Sequence, residues 1–315
     1  MLSRTADHLY WMSRYVERAE SLARLVDAHY RMSLLPQSAD SLTQSLSATM
    51  NALQMEHAYR EHHEAVVPQA VFEFVSLDRD YPGSIVNCLK AARENARAVR
   101  GSLTSELWET LNSTWLDARS FMARSAPRTD IGHFVEWVKE RSHLTRGVTI
   151  GTMLRDEAFH FTRIGTFIER ADSTARILTS HQHDLRAGSD AVAVPDPFQW
   201  SVLLRALSAF EVYRRVYRDV ITPLKVAQML ILRDDMPRSL TRCCKELYNN
   251  LRSVSNEQSK ETERRGGEIH AMLHFTRMEA IIEVGLPYFL QQFLVRLRDL
   301  GDRLASDFLV PPAEA

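Results

Sequence analysis

The chain reads as an all-α protein, a helical bundle built from two tandem repeats related by a pseudo-twofold. Three observations predict this class. Nearly every segment carries apolar residues at the helical period. No region alternates apolar and polar residues with clustered Val, Ile and Thr. Two blocks of sequence occur twice, in the same order and at nearly the same spacing.

The first block is YVERAESLARLVDA, Tyr15 to Ala28, which returns as FIERADSTARILTS, Phe167 to Ser180, at an offset of 152. Glu17, Arg18, Ala19, Ser21, Ala23 and Arg24 recur as Glu169, Arg170, Ala171, Ser173, Ala175 and Arg176, and Glu20 keeps its charge as Asp172. The second block is DYPGSIVNCLKAARENAR, Asp80 to Arg97, which returns as DMPRSLTRCCKELYNNLR, Asp235 to Arg252, at an offset of 155. Pro68 and Pro223, Val71 and Val226, and Leu77 and Leu232 keep that register upstream. A tandem duplication of a helical unit of about 120 to 150 residues accounts for both blocks. Two units favour a compact pseudo-twofold over a solenoid, which needs more repeats and end caps. We therefore expect a single domain over residues 1–315, with repeat one at about 1–128 and repeat two at about 152–310.

Taken in order, helix one should run from about Arg4 to Met32 and stop before Pro36. Met12, Tyr15, Val16, Ala19, Leu22, Ala23 and Val26 form its apolar arc. Glu17, Glu20 and Arg24 fall opposite, on what a single-helix wheel gives as a solvated face. Glu20 to Arg24 and Asp172 to Arg176 are i,i+4 pairs worth ~0.3 kcal/mol each. Arg18 sits on the flank of the arc near Trp11 and Leu25, and Arg170 inherits that place. A guanidinium set against a core needs a partner, and neither copy has an acid four residues away. Reciprocal contacts across a pseudo-dyad would join Arg18 to Glu169 and Arg170 to Glu17. The competing arrangement pairs each within its own half, with Asp80 or Asp235.

Further helices are expected near 41–61, 64–77, 83–99, 104–124 and 131–148, and a long one from about Leu154 to His183 opens the second half. Residues 184–197 form the clearest loop. Asp196-Pro197, Thr222-Pro223 and Pro237 then open helices with proline in the first turn. A last amphipathic helix spans about 287–304, followed by a VPPAEA tail.

Composition narrows the function classes. With 39 basic and 40 acidic side chains the net charge is −1, so no overall field favours nucleic acid or anionic lipid. Cys88, Cys243 and Cys244 form no metal-ligand spacing and cannot all be paired, which suits a reducing cytoplasm. The first 20 residues are too charged for a signal peptide, and the longest apolar run, near Val226 to Leu232, is too short to span a membrane. A cytoplasmic protein with neither membrane nor nucleic-acid partners is expected.

Glu140 and His143, and Glu157 and His160, have the Glu-x-x-His spacing of bundle di-iron sites. The two motifs are only 17 residues apart, and although His160 matches His8, Glu157 matches Thr5, so no metal site is expected. His57, His62, His63, His181 and His183 read as solvated helix ends or loop residues. There is no Gly-x-Ser-x-Gly elbow and no Gly-rich phosphate loop, since Gly266-Gly267 precedes no lysine motif. No cofactor is expected, and any ATP would bind a partner. The candidate binding set is the duplicated polar one: Glu17, Arg18, Glu20, Arg24, Asn95 and Arg97 with Glu169, Arg170, Asp172, Arg176, Asn250 and Arg252. Arg and Asn on facing helices suit carboxylates and peptide amides. They equally suit an ion-pair network that locks two repeats together.

The opening MLSRTADHLYWMSRYVERAESLARLVDA, the block SIVNCLKAARENARAVR with SELWETLN after it, and the later DMPRSL resemble the bacterial alpha-E family, an all-helical family named for its Glu-Arg motif. Met12-Ser13-Arg14 stands where that family has a Leu-Gly-Arg-like triplet, and the second half reads Ile164-Gly165-Thr166. Arg14 thus has no counterpart and stays outside the candidate set. The resemblance implies association with circularly permuted ATP-grasp ligases and transglutaminase-like proteins in peptide synthesis or modification. On that basis the chain is expected to dock the ligase or to bind a carboxylate-bearing peptide or amino acid. The alternatives are an enzyme performing amide or glutamyl chemistry at the Glu-Arg residues and a purely structural interaction protein. A homo-oligomer is compatible with each.

Overall fold

Two long helices sit at the centre of the molecule, α1 (Ser3–Ser33) and α8 (Glu157–Thr179), and the other elements are laid around them. The computed structural model describes residues 1–35, 39–123, 130–180 and 197–310; all regular elements there are helical, so the protein is all-α. Between the two central helices lie α2 (Ala39–Ala52), α3 (Glu56–Arg60), α4 (Pro68–Leu77), α5 (Ile85–Ala98), α6 (Ser105–Ala123) and α7 (Ile131–Thr152). After α8 come α9 (Pro197–Ala206), α10 (Phe210–Tyr217), α11 (Pro223–Leu232), α12 (Leu240–Val254), α13 (Lys260–Phe275), α14 (Met278–Val284) and α15 (Leu286–Phe308). The expected 184–197 loop lies outside the described residues except for Pro197, as does most of the expected tail. No single helix among the described residues is long and apolar enough to cross a membrane.

Local chemistry sets the helix starts. Pro68 and Pro223 occupy first turns, where a missing N–H costs nothing. Ser84 and Ser239 cap α5 and α12, accepting from Asn87 N and Arg242 N. The expected helix 41–61 is broken in two, because Gln54 takes a left-handed φ of 60° and the Met55 N–H turns back to the Met50 carbonyl (2.9 Å). Ser208 makes the same turn at φ 55°, with Ala209 N donating to Leu204 O (2.7 Å). Neither position is a glycine, so composition gave no sign of either break.

α1 packs against α5, α7, α8 and α9, and α8 also carries α12 and α15. Leu9, Tyr10, Met12, Leu25 and Ala28 join a core built with α8, α9 and the C-terminal helices. Ala19, Leu22, Ala23 and Val26 join a second core built with α2, α4, α5 and α7. At the crossing of α1 and α8 a Cβ on Gly165 would overlap the Tyr10 carbonyl oxygen and Ser13 Oγ. Glycine is required there for the two backbones to approach. Because neighbours enclose α1, its middle has no solvated face: Glu17 is 2% exposed and Glu20 1%. This corrects the helix wheel, which treats the arc opposite the apolar one as facing water.

Candidate functional site

Burial forces Glu17 and Glu20, one turn apart on α1, to find cations, and four arginines supply them. Arg170, from α8, grips Glu17 in fork geometry, Nε to Oε1 at 2.8 Å and Nη2 to Oε2 at 2.7 Å. Arg238, just before α12, donates Nη1 to Glu17 Oε1 (2.9 Å) and Nη2 to Glu20 Oε1 (2.7 Å). Arg24 reaches Glu20 from the next turn (3.0 Å), and Arg146 of α7 pairs with the other oxygen of Glu20. The His143 ring lies between the last two, Nε2 3.0 Å from Arg24 and Nδ1 3.3 Å from Arg146. Burial would push the Glu20 carboxyl up, but Arg238, Arg146 and Arg24 overcome it and hold the group well below the usual carboxylate range. Beside this cluster, burial and then the Arg170 charge bring Arg163 down to about 10.

A second cluster forms around Glu169 on α8. Arg18 grips it in the same fork, Nε to Oε1 at 2.6 Å and Nη2 to Oε2 at 3.1 Å, while Arg14 Nε adds a 2.8 Å bond to Oε2. Arg14 also donates to the Tyr10 hydroxyl (3.1 Å) and lies over the Trp11 ring. Here too the arginines outweigh burial and lower the Glu169 carboxyl. One turn on, Asp172 pairs with Arg176 at 2.7 Å.

The two clusters differ in what lies in front of them. Glu17 and Glu20 are closed over, with only a ~30 Å³ crevice beside Glu17. Glu169 and Asp172 open into a cavity of about 720 Å³, a size that suits a small ligand. Arg14, Arg18, Arg176 and Arg298 line it together with Asp7 and Asp302. Ser21, also on the wall, keeps a buried Oγ with no hydrogen-bond partner among the described residues.

A family model described as Alpha-E, a predicted alpha-helical domain with a conserved ER motif, matches residues 1–309. The chain belongs to the Alpha-E family. It is similar to the uncharacterized proteins Mb2597 of Mycobacterium bovis and Rv2567 of Mycobacterium tuberculosis, each 25% identical over 338 residues. The match covers 98% of this chain but only 37% of each relative's length. No solved structure matches.

In this Alpha-E chain the ER pairs are Glu17-Arg18 and Glu169-Arg170, and each arginine reaches across to the other pair's glutamate. The within-half arrangement is not formed: Asp235 is held by Arg233 instead (2.8 Å). Glu17, Arg18, Glu20, Arg24, Glu169, Arg170, Asp172 and Arg176 all enter one or other cluster. Asn95 and Asn250 do not. Asn95 Oδ1 lies 2.8 Å from His8 Nδ1, and Asn250 Oδ1 lies 2.8 Å from His160 Nδ1. Nine residues separate His8 from Glu17, about 14 Å of helix. Arg97 and Arg252 are exposed, Arg97 near Glu94 (3.7 Å) and Arg252 over Tyr248. The sequence reading missed Arg14, Arg146 and Arg238. Arg238 had a signal, since DMPRS carries it where DYPGS carries Gly83; Arg146 had none in either repeated block.

The Glu-x-x-His pairs find ordinary partners. Glu157 takes the N-terminal amine (2.6 Å), His160 takes Asn250, and His143 lies among arginines. No group of three or more His, Cys, Asp and Glu residues able to hold a metal gathers among the described residues. Cys88 and Cys243 are pushed up to about 12 by burial, and Cys244 also rises well above the ordinary thiol range, so all three stay protonated packing groups.

Proposed function

We propose that this Alpha-E chain is the helical, non-nucleotide-binding component of an ATP-grasp-linked peptide ligation or modification system, and that it binds a carboxylate-bearing amino acid or peptide beside Glu169. The observation that carries the reading is that only one Glu-Arg cluster opens into a ligand-sized cavity among those described. The closed cluster acts as a lock between α1, α7, α8 and the start of α12. The open one presents guanidinium edges: Arg14 and Arg18 each hold Glu169 and keep N–H donors to spare, which is how arginine receives a second carboxylate. Glu169 itself, held ionised by those two arginines, serves as an anchor and not as a general base. The link to an ATP-grasp ligase rests on the family resemblance.

We further propose that the chain is a tandem pair about a pseudo-dyad, with the first half running past the 128 expected from the repeated blocks to take in α7, at about 1–152, and the second at about 152–310. Support comes from contacts that recur at displacements of 154 or 155. Tyr59 and Tyr213 each donate a hydroxyl hydrogen bond to a loop carbonyl, of Ala65 and Val220, both 3.0 Å away. α7 and α15 bury matching positions, Val135 and Leu290, Val138 and Phe293, Ser142 and Leu297, Thr145 and Leu300. The three unpaired, buried thiols suit the cytoplasm proposed as its site of action.

The test is ADP release by a circularly permuted ATP-grasp protein from the same genome, across a panel of amino acids and dipeptides, with and without this chain. At least ten-fold stimulation by one substrate is expected, and Arg18→Ala should remove it while the protein stays folded. No stimulation by any substrate, or stimulation indifferent to Arg18→Ala, overturns the reading.

A further inference from the structure

Part of the cavity occupies space that the closed cluster fills with a cation of its own. At the offset of 155, Arg238 corresponds to Gly83 and Arg146 to Gly301, and both glycines line the cavity; the Tyr81 ring stands where a Gly83 side chain would go, so the open room is at Gly301. Where Glu17 and Glu20 receive two guanidiniums from those positions, Glu169 and Asp172 receive none. Arg14, which stands opposite Thr166, makes good part of the loss, but it reaches Glu169 and not Asp172. Asp172 has Arg176 and keeps a side chain 31% exposed, whereas Glu20, with three arginines, is closed off at 1%.

The rest of the wall shifts the same way. Asp302 stands at the position of Gly147 and Asp7 at that of Phe159, so the cavity gains two acids where it has lost two arginines. Arg298, at the position of His143, adds a cation on the exposed part of α15. The wall thus carries four arginines and four acids, with Glu169 and Asp172 held by arginines and Asp7 and Asp302 in no ion pair among the described residues. A ligand that brings a cation to the side of Asp172 and Asp302 and a carboxylate to the guanidiniums answers both kinds of group, which an anion alone does not.

We infer that the ligand is a basic amino acid, or a peptide bearing one, whose guanidinium or ammonium group sits against Asp172 in the space that Arg146 fills in the other cluster. This rests on the reading of the cavity as the ligand site and on the correspondence of the two halves. It adds the sign of charge that the site selects.

Isothermal titration of the full chain with L-arginine, L-lysine, Ala-Arg, L-glutamate and Ala-Glu tests it. At least one of the three basic probes should bind ten-fold or more tightly than either acidic probe, and Asp172→Asn should weaken it at least ten-fold. Gly301→Arg supplies the guanidinium from within, and it should abolish binding without loss of the folded state. A Cβ at Gly301 meets only Ile168 Cδ1, at 3.7 Å, so the backbone there admits a side chain; Gly151→Arg, which adds the same group at an exposed position of α7 outside the cavity, should bind as the parent does and serves as the control. Tighter binding of an acidic probe overturns this inference and leaves the ligand site standing. Unchanged binding of a basic probe by Gly301→Arg overturns the placement. Failure of all five probes overturns both the inference and the site.

Discussion

Arg18 and Arg170 are equivalent in sequence, make the same fork on a glutamate, and should nonetheless differ sharply when removed. The Arg170 side chain is 8% exposed and its partner Glu17 3%. Arg170→Ala leaves a buried carboxylate whose remaining close contact is Arg238 at 2.9 Å, with Arg146 at 3.8 Å. Breaking a buried pair costs about 3–5 kcal/mol, because the abandoned charge stays desolvated. The Arg18 side chain is 32% exposed, and Arg18→Ala leaves Glu169 held by Arg14 at 2.8 Å beside an open cavity. Water from that side brings the cost to about 1–2 kcal/mol. At about 2.1 cal/mol/K per residue, 315 residues give an unfolding entropy of about 0.7 kcal/mol/K. Arg170→Ala should then lower Tm by about 5–7 °C, and Arg18→Ala by about 2 °C. Differential scanning calorimetry with urea denaturation followed by far-ultraviolet circular dichroism reads both. Equal losses, or a larger loss for Arg18→Ala, would refute the argument that solvent access separates the two clusters.

Two other outcomes follow from burial. His29 donates Nδ1–H to the Leu25 carbonyl (3.0 Å) and accepts from Ser45 Oγ (3.2 Å), and burial pushes it down to about 4. The unfolded chain binds a proton there below about 6.5 that the folded chain refuses until about 4, so stability is full above that window and falls by about 3 kcal/mol on crossing it downward. Urea midpoints measured from pH 7 to pH 4 should flatten by about that amount in His29→Gln; an unchanged slope rules out His29 as the source. Gly165→Ala should destabilise by about 3 kcal/mol or more, because its methyl meets the Tyr10 backbone carbonyl, which cannot move without separating α1 from α8. A melting temperature within a degree of the parent would mean that the two helices do not cross so closely.

Much of the fold was legible because helices announce themselves locally. Proline in first turns and the 3.6-residue period located α1, α4, α5, α8 and the start of α11 to within a few residues, whereas the helix expected to open on Pro237 begins at Leu240, capped by Ser239. The break at Gln54 was not legible, since a non-glycine residue in the left-handed region is chosen by tertiary packing and not by composition. For the site, repetition identified Glu17, Arg18, Glu169 and Arg170, while the wheel put Glu17 and Glu20 on the wet side. A wheel knows one helix. It cannot know that α7 and the segment before α12 bring Arg146 and Arg238 onto that side and turn it into an interior. Arg97 and Asn95 show the converse limit: being repeated marks a residue for a common role in both copies of the block, here a solvated face and a helix-to-helix bond, without making it part of a site.

On the proposed pairing of positions, differences are therefore more informative about function than identities. The identical residues make the forks Arg18–Glu169 and Arg170–Glu17, which either arrangement needs to keep its carboxylates charged inside a bundle. The differing residues decide which fork is sealed. Arginine at 146 and 238 satisfies Glu17 and Glu20 from within, whereas glycine at 301, and Tyr81 lying over Gly83, bring no cation to Asp172, which stays part-exposed in front of a cavity of about 720 Å³. A structural lock would gain from answering the acids on both sides, since guanidiniums in close hydrogen-bonded geometry, as around Glu20, offset the cost of keeping a carboxylate away from water. Leaving one open forgoes that gain on one side, and an incoming ligand that carries the missing charge would recover it.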